Sequence, residues 1–177
     1  MGITSDGQVV LHQGAMDIGQ GANTVISQIA ADALGVAVHD LHIVGGDTDL
    51  TPDCGKTSAS RHPFVSGKAA MLSGLALRWK LLRHGNVDAD AKISLDGATL
   101  RLEDAAGGAV RVELAGLPVN EYGYVFMAEE TYDPPTSPLD EKGQGIPYAV
   151  FGYGAQIVEL SVDMALGRVR LDKITTA

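Results

Sequence analysis

The spacing of apolar residues changes several times along the chain, and each change predicts an element. After the turn pair Asp6-Gly7, QVVLHQG predicts a strand ending at Gly14. Over residues 22–34, Ile26, Ile29, Ala30 and Ala33 recur at helical spacing, and Gly35 supplies the stop. DLHIVGGD, residues 40–47, predicts a short β-branched strand, and the polar TDLTPDCGKTSAS a loop kept irregular by Pro52 and Gly55. A second helix is expected from about residue 63 to 84, with Val65, Ala69, Leu72, Ala76, Trp79 and Leu82 on its buried face. Pro63 suits its start and Gly85 its end.

Residues 86–120 change to short alternating segments. Asp96-Gly97 lies between two of them, a hairpin signal, and GGAVRVEL adds another strand, which together predict a small inserted β lobe. YGYVFMAEETY, residues 122–132, predicts a further strand. The proline-bearing DPPTSPLDEKGQGIP reads as a long loop ordered by contact with a neighbour. The last segments pair as a hairpin around MALG, with Val158, Leu160 and Val162 expected to alternate inward. The fold class is α+β: a strand–helix–strand unit with a second long helix, a mixed or antiparallel sheet and the inserted lobe. Its expected divisions are an α/β unit over 1–85, the lobe over 86–120, and strands over 121–177 completing the first domain.

Composition narrows the partners. The 177 residues include 13 basic and 22 acidic ones, a formal charge of −9 that repels nucleic-acid phosphates and anionic lipid. The single Cys54 leaves no internal disulfide and no cysteine-built zinc or iron–sulfur site within this chain. No basic-then-apolar leader and no run near the ~20 residues of a membrane span is visible, so a soluble, cytoplasmic chain is expected. Both ends fall close to predicted strands, which suggests a segment of something longer.

The stretch DIGQGANT carries the first candidate chemistry. Gly19 and Gly21 stand where a helix should begin, a costly place for glycine unless the backbone must be approached closely. A helix start leaves N–H groups unpaired and partly positive, and Gln20 adds an amide, so the loop suits an anionic or oxygen-rich ligand. It is not the dinucleotide pattern G-x-G-x-x-G, because Thr24 replaces the third glycine, and no Gly-Lys-Ser/Thr follows. A tight turn serving packing alone explains the glycines equally well. TSASRHP, residues 57–63, places three hydroxyls and Arg61 before the second helix, again donors for an anion or an ordinary cap. The second Gly-Gln-Gly, 143–145, has no helix after it.

These residues together resemble the molybdopterin-binding subunit of the molybdenum hydroxylases, the family of xanthine dehydrogenases and aldehyde oxidoreductases. GAMDIGQGANTVISQIAADALGV matches its G-x-x-[E/D]-x-G-Q-G segment leading a helix. DTDLTPDCGKTSASRHPFVSGKAA follows with D-T-x-x-T-P and an alanine–serine element, and IPYAVFGYGAQIVELSVDMALGRVRLDKI is similar to a downstream β stretch. The likeness covers most of residues 7–83 and 147–176. It implies that Gly19, Gln20 and Gly21 meet molybdopterin, with Gln20 donating toward an oxo ligand or the pterin. It further implies that Ala59 leaves room near the substrate, and that Thr57, Ser58, Ser60, Arg61 and His62 hold a phosphate or nucleotide tail. The metal would be held by the cofactor's own sulfurs, and electrons would leave through iron–sulfur centres to flavin or another acceptor.

The resemblance also implies oxidative hydroxylation of an aldehyde or N-heterocycle, using a glutamate from a G-x-G-E-like element. This chain lacks that element, and Glu129, Glu130 and Glu159 sit in strand contexts, so no catalytic residue is assigned. His62 stands where other members often carry a small polar residue or glutamine. Elsewhere, Asp47-Thr48-Asp49 reads as a turn rather than a metal pair, Cys54 as a loop cysteine, and His12, His39, His42 and His84 as scattered. Two functions remain open. One is a cofactor-binding segment, inactive without the remainder of its subunit; the other is an assembly module of the same fold that binds no cofactor.

Overall fold

A computed structural model describes residues 1–177, which divide into two compact units, Met1–Pro134 and Pro135–Ala177. In the first unit, β1 (Gly2–Thr4) and β2 (Val9–His12) pair antiparallel. Helix α1 (Ala22–Leu34) then carries the chain to β3 (Leu41–Val44), which pairs parallel with β2. A parallel pair needs such a crossover because a tight turn can only reverse the chain. With β7 (Tyr124–Met127) on the far edge of β1, the mixed sheet runs β3-β2-β1-β7. The expected strand over 122–132 is thus confined to 124–127, in its first half, where β1 offers partners.

Helix α2 (His62–Gly85) follows β3, and a three-stranded antiparallel sheet follows α2: β4 (Lys92–Asp96), β5 (Thr99–Glu103) and β6 (Ala109–Glu113). The hairpin forms as its sequence predicts, with Gly97 and Ala98 in the turn and Asp96 ending β4 opposite Thr99. Ile93, Leu100, Leu102 and Leu114 of this lobe are buried in the same cluster as Ile3, Leu11, Ile26, Leu34, Leu77 and Leu81. The lobe therefore shares the core of the sheet and helices. Gly85 permits the contact, since a Cβ there would lie 2.3 Å from Leu102 Cδ1.

The buried face of α2 differs from the expected one. Val65 and Leu82 are buried, but so are Gly67, Ala70, Ser73, Gly74, Leu77 and Leu81, whereas Trp79 is 54% exposed. Small residues cause the rotation. Gly74 lets the backbone of α1 approach so closely that a Cβ would sit 2.9 Å from Ala30 O and 2.9 Å from Ala33 Cβ. Hydrophobic spacing gives glycine and serine no weight, so it selects the neighbouring stripe with the larger side chains. The helix stops on Asn86, whose left-handed φ of 52° lets its N–H reach Arg83 O, with Val87 N–H on Leu82 O.

In the second unit, β8 (Gln156–Asp163) and β9 (Arg168–Thr176) form an antiparallel hairpin with a bulge at Glu159/Leu160. Its pairs Val158–Ile174, Leu160–Leu171 and Val162–Val169 place six apolar side chains on one face. They alternate as expected, yet all are exposed rather than inward, because a two-stranded ribbon has no second layer of its own. No helix of the chain is long and apolar enough to cross a membrane.

Candidate functional site

The first glycine loop leads into α1. Gly19 and Gly21 adopt φ of 102° and 81°, which strain any residue with a side chain, and a Cβ at either would meet nothing within 4 Å. The glycines therefore serve backbone conformation beside open space, not a tight packing contact. Asp17 organises them. Its Oδ1 accepts from the amides of Gly19 (2.9 Å) and Gly21 (3.3 Å), and its Oδ2 from that of Asn23 (3.0 Å). Those amide bonds, Gly19's first and then Asn23's, hold its pKa below the ordinary carboxylate value.

This corrects the expectation that the amides at the start of α1 stand free, since Asp17 already takes those of the N-cap Gly21 and of Asn23, along with that of Gly19 ahead of the helix. The amides of Gln20, Ala22 and Thr24 remain without a protein partner. The Gln20 side chain is also engaged: Oε1 accepts from Ile18 N–H at 2.7 Å and Nε2 donates to Met16 O at 3.0 Å. One of its N–H bonds is left over. Behind the loop, buried Gln13 accepts from Ala15 N–H and donates to Ala15 O and Asn23 Oδ1.

The second loop reaches this one through Thr57. Its hydroxyl accepts from Met16 N–H at 3.3 Å and lies 3.5 Å from Met16 O. His62 at the start of α2 is only 3% exposed, with Nε2 2.8 Å from Thr57 Oγ1 and Nδ1 3.0 Å from Ser66 Oγ. Gln20, Met16, Thr57, His62 and Ser66 thus form one hydrogen-bonded chain across two segments about 40 residues apart in sequence.

Ser58, Ala59 and Ser60 continue outward from Thr57 and are exposed. Ala59 and Ser60 both hold φ of 52°, a left-handed pair that non-glycine residues adopt at a cost. The hydroxyls of Ser58 and Ser60 and the amides of all three residues make no bond to protein, so this segment offers free donors. Arg61 reaches back toward Gly55 and Lys56. Its Nη1 lies 3.5 Å from Lys56 O, and its side chain lines a cavity of about 460 Å³ with Cys54, Ser66, Ser73, Glu130 and Asp133. Cys54 has its thiol pKa raised by burial and then by Asp53, which makes it a poor nucleophile. Asp47 closes a turn, its Oδ1 accepting from Asp49 and Leu50.

Burial, and then Arg61, lowers the pKa of His62 below its ordinary value of 6.5. The folded state consequently binds fewer protons than the unfolded one as pH falls. Its contribution to stability is complete above the ordinary value and is lost as pH drops from there through the folded pKa. Melting temperatures recorded from pH 8 to pH 5 should fall in that window, and His62→Gln should flatten the fall. An unchanged slope in the variant would assign the acid sensitivity elsewhere.

Sequence reasoning overlooked Asp17 as the brace, Gln13 behind it, and Thr57–His62–Ser66 as a link. Asp17 was legible in principle, because an Asp two residues before a glycine is a common source of side-chain-to-backbone turns. The link was not, since it joins segments distant in sequence.

The donor set fits a pterin with a phosphate tail. Free amides and hydroxyls lie on two joined loops, and one of those loops has open space above two glycines. Comparison with known proteins bears on the family rather than on single residues. The whole chain, residues 1–177, matches the family described as the molybdopterin cofactor-binding domain. It is 32% identical over 171 residues to the probable hypoxanthine oxidase XdhD of Escherichia coli (strain K12), covering 97% of this chain and 17% of that protein. It is 30% identical over 186 residues to the putative xanthine dehydrogenase molybdenum-binding subunit XdhA of the same strain, covering 97% and 22%. The solved aldehyde oxidoreductase of Desulfovibrio desulfuricans superposes with a TM-score of 0.63 at 25% identity, over 99% of this chain and 17% of that one. The chain therefore spans about a fifth of the relatives it matches. With two joined donor loops and a family match end to end, this chain is a molybdopterin cofactor-binding domain of the xanthine dehydrogenase and aldehyde oxidoreductase family.

Proposed function

We propose that the full-length protein oxidatively hydroxylates an aldehyde or N-heterocycle with oxygen drawn from water, and that this chain supplies part of the grip on its cofactor. The observation that carries the reading is the joining of the glycine loop to the alanine–serine loop through Met16 and Thr57. Relatives named for hypoxanthine, xanthine and aldehyde oxidation support the substrate classes.

Molybdenum–molybdopterin, when bound, supplies the redox and oxygen-transfer chemistry. The residues of this chain bind and orient it. Gly19 and Gly21 let it approach the backbone, where the free amides of Gln20 and Ala22 donate. Gln20 braces the loop and retains one N–H for the ligand. Ser58 and Ser60 offer hydroxyls to a phosphate or nucleotide tail, and Arg61 adds positive charge nearby. Thr57 and His62 hold those donors in place, and the methyl of Ala59 leaves space beside them. No general base lies among these residues, so turnover requires the remainder of the subunit, with iron–sulfur centres and then flavin or another acceptor to remove electrons.

The test is molybdenum and pterin content of the purified full-length protein, wild type and Gln20→Ala. Near-stoichiometric cofactor in the wild type is expected, with a loss of about tenfold or more in the variant at nearly unchanged melting temperature. Full-length protein that carries neither metal nor pterin would favour the alternative, an assembly module that keeps the fold without the cofactor.

A further inference from the structure

We propose that His62 is a positioning residue that locks the alanine–serine loop to the glycine loop, so that both present their donors together. The inference rests on the cofactor reading above and names the part of the chain that makes the two loops one site.

A buried imidazole is costly unless both nitrogens are bonded. At His62 both are, and the partners lie on different segments: Ser66 one turn further along α2, and Thr57 in the loop before it. The ring therefore ties Thr57 to a rigid helix. Thr57 in turn is the residue that hydrogen-bonds the neighbouring loop, through Met16 N–H and O. Met16 O also accepts from Gln20 Nε2, so the tie continues to the turn on which Gly19 and Gly21 sit.

One proton arrangement satisfies every member. Nε2–H donates to Thr57 Oγ1, Thr57 O–H donates to Met16 O, and Ser66 O–H donates to Nδ1. The lowered pKa of His62 agrees with a neutral ring that keeps Nδ1 as an acceptor. Nothing in the helix itself calls for histidine here. Pro63 already suits the first turn, and His62 makes no cap hydrogen bond. A leucine would fill the volume and bury more apolar surface. The polar ring is explained by the two hydroxyls it spans.

The test compares His62→Leu, His62→Gln, Thr57→Val and the double variant His62→Leu/Thr57→Val in the full-length protein. The first readout is hydrogen exchange of the Gly19, Gly21 and Asn23 amides in protein made without molybdopterin. His62 touches none of these residues. Exchange there should quicken about tenfold in His62→Leu, the scale of one lost hydrogen bond. The double variant should exchange no faster than either single one, because both remove the same tie. His62→Gln, whose amide can still reach Thr57, should restore wild-type exchange.

The second readout is pterin content in cells that make the cofactor, expected to fall severalfold in His62→Leu and Thr57→Val and to recover in His62→Gln. Unchanged exchange in the glycine loop, with only a lower melting temperature, would make His62 an ordinary core histidine and overturn the proposal. If His62→Leu does not fold, Thr57→Val carries the same comparison, since it removes the tie and leaves the ring. Wild-type protein without pterin would remove the cofactor reading, while the exchange measurement would still decide the tie.

Discussion

Replacing Asp17 by alanine in the full-length protein is expected to lower pterin content at least tenfold, the scale seen when groups that orient a bound centre are removed. The carboxylate accepts three backbone amides and so sets the path from Met16 into α1. Without it, Gly19 and Gly21 are free to leave their positive-φ conformations, since glycine gains most from that freedom. The amides of Gln20 and Ala22 would then no longer be presented together. Asp17→Asn should fall between the two. A carboxamide oxygen can still serve either the Gly19 and Gly21 pair or Asn23, but its NH₂ faces an N–H on the other side.

The opposite outcome is informative. Asp17 occupies amides that an anionic ligand could use, so a carboxylate acting as a plug would give higher cofactor retention in Asp17→Ala. Two features favour the brace. Amides on the same turn remain unpaired, and the space above both glycines is open. Acid should expose the same role, because a carboxyl with a lowered pKa stabilises its loop above the ordinary value of 3.8 and loses that effect as pH falls through the folded pKa. The His62 window opens higher, at 6.5 rather than 3.8, so the loss due to His62 begins first as pH falls.

The second large effect concerns the helix pair that carries both loops. Gly74→Ala gains about 1 kcal/mol in helix propensity. Against this, the added methyl would lie 2.9 Å from Ala30 O and from Ala33 Cβ, atoms fixed to the backbone of α1 that cannot rotate aside. Overpacking of this kind costs about 1–3 kcal/mol, so the alanine variant should lose stability on balance and Gly74→Val should lose about 3 kcal/mol. Gly67 makes the control. A Cβ there would lie 2.8 Å from Ile29 Cδ1, the end of a flexible side chain, so Gly67→Ala should be neutral or stabilising by about 0.5–1 kcal/mol. Denaturant titration of the four proteins checks the order. Equal behaviour of the two alanine variants would refute the close approach of α1 and α2 at Gly74.

The strand and helix limits were legible because local spacing carries them. α1 spans Ala22–Leu34 as its periodicity predicts, and the lobe's hairpin turns directly after Asp96, at Gly97. The buried face of α2 was not legible. Its close contact with α1 is made at Gly67 and Gly74, residues whose value lies in what they leave out, and Trp79 is correspondingly exposed. The hairpin face of Val158, Leu160 and Val162 alternates as expected, but alternation fixes only which residues share a side. Whether that side is covered depends on what packs against it.

The same division holds for the candidate site. By itself the sequence determined the two loops, their glycines and hydroxyls, and the family they resemble, because those follow from residue type and short spacing. Tertiary structure decided which donors remain free. Asp17 takes three amides of the glycine loop, Gln20 spends most of its amide on Met16 and Ile18, and Thr57 with His62 joins the loops from opposite sides of β3 in sequence. Hydrogen bonds depend on position to within a few tenths of an ångström. That precision comes only once sheet, helices and loops have packed together.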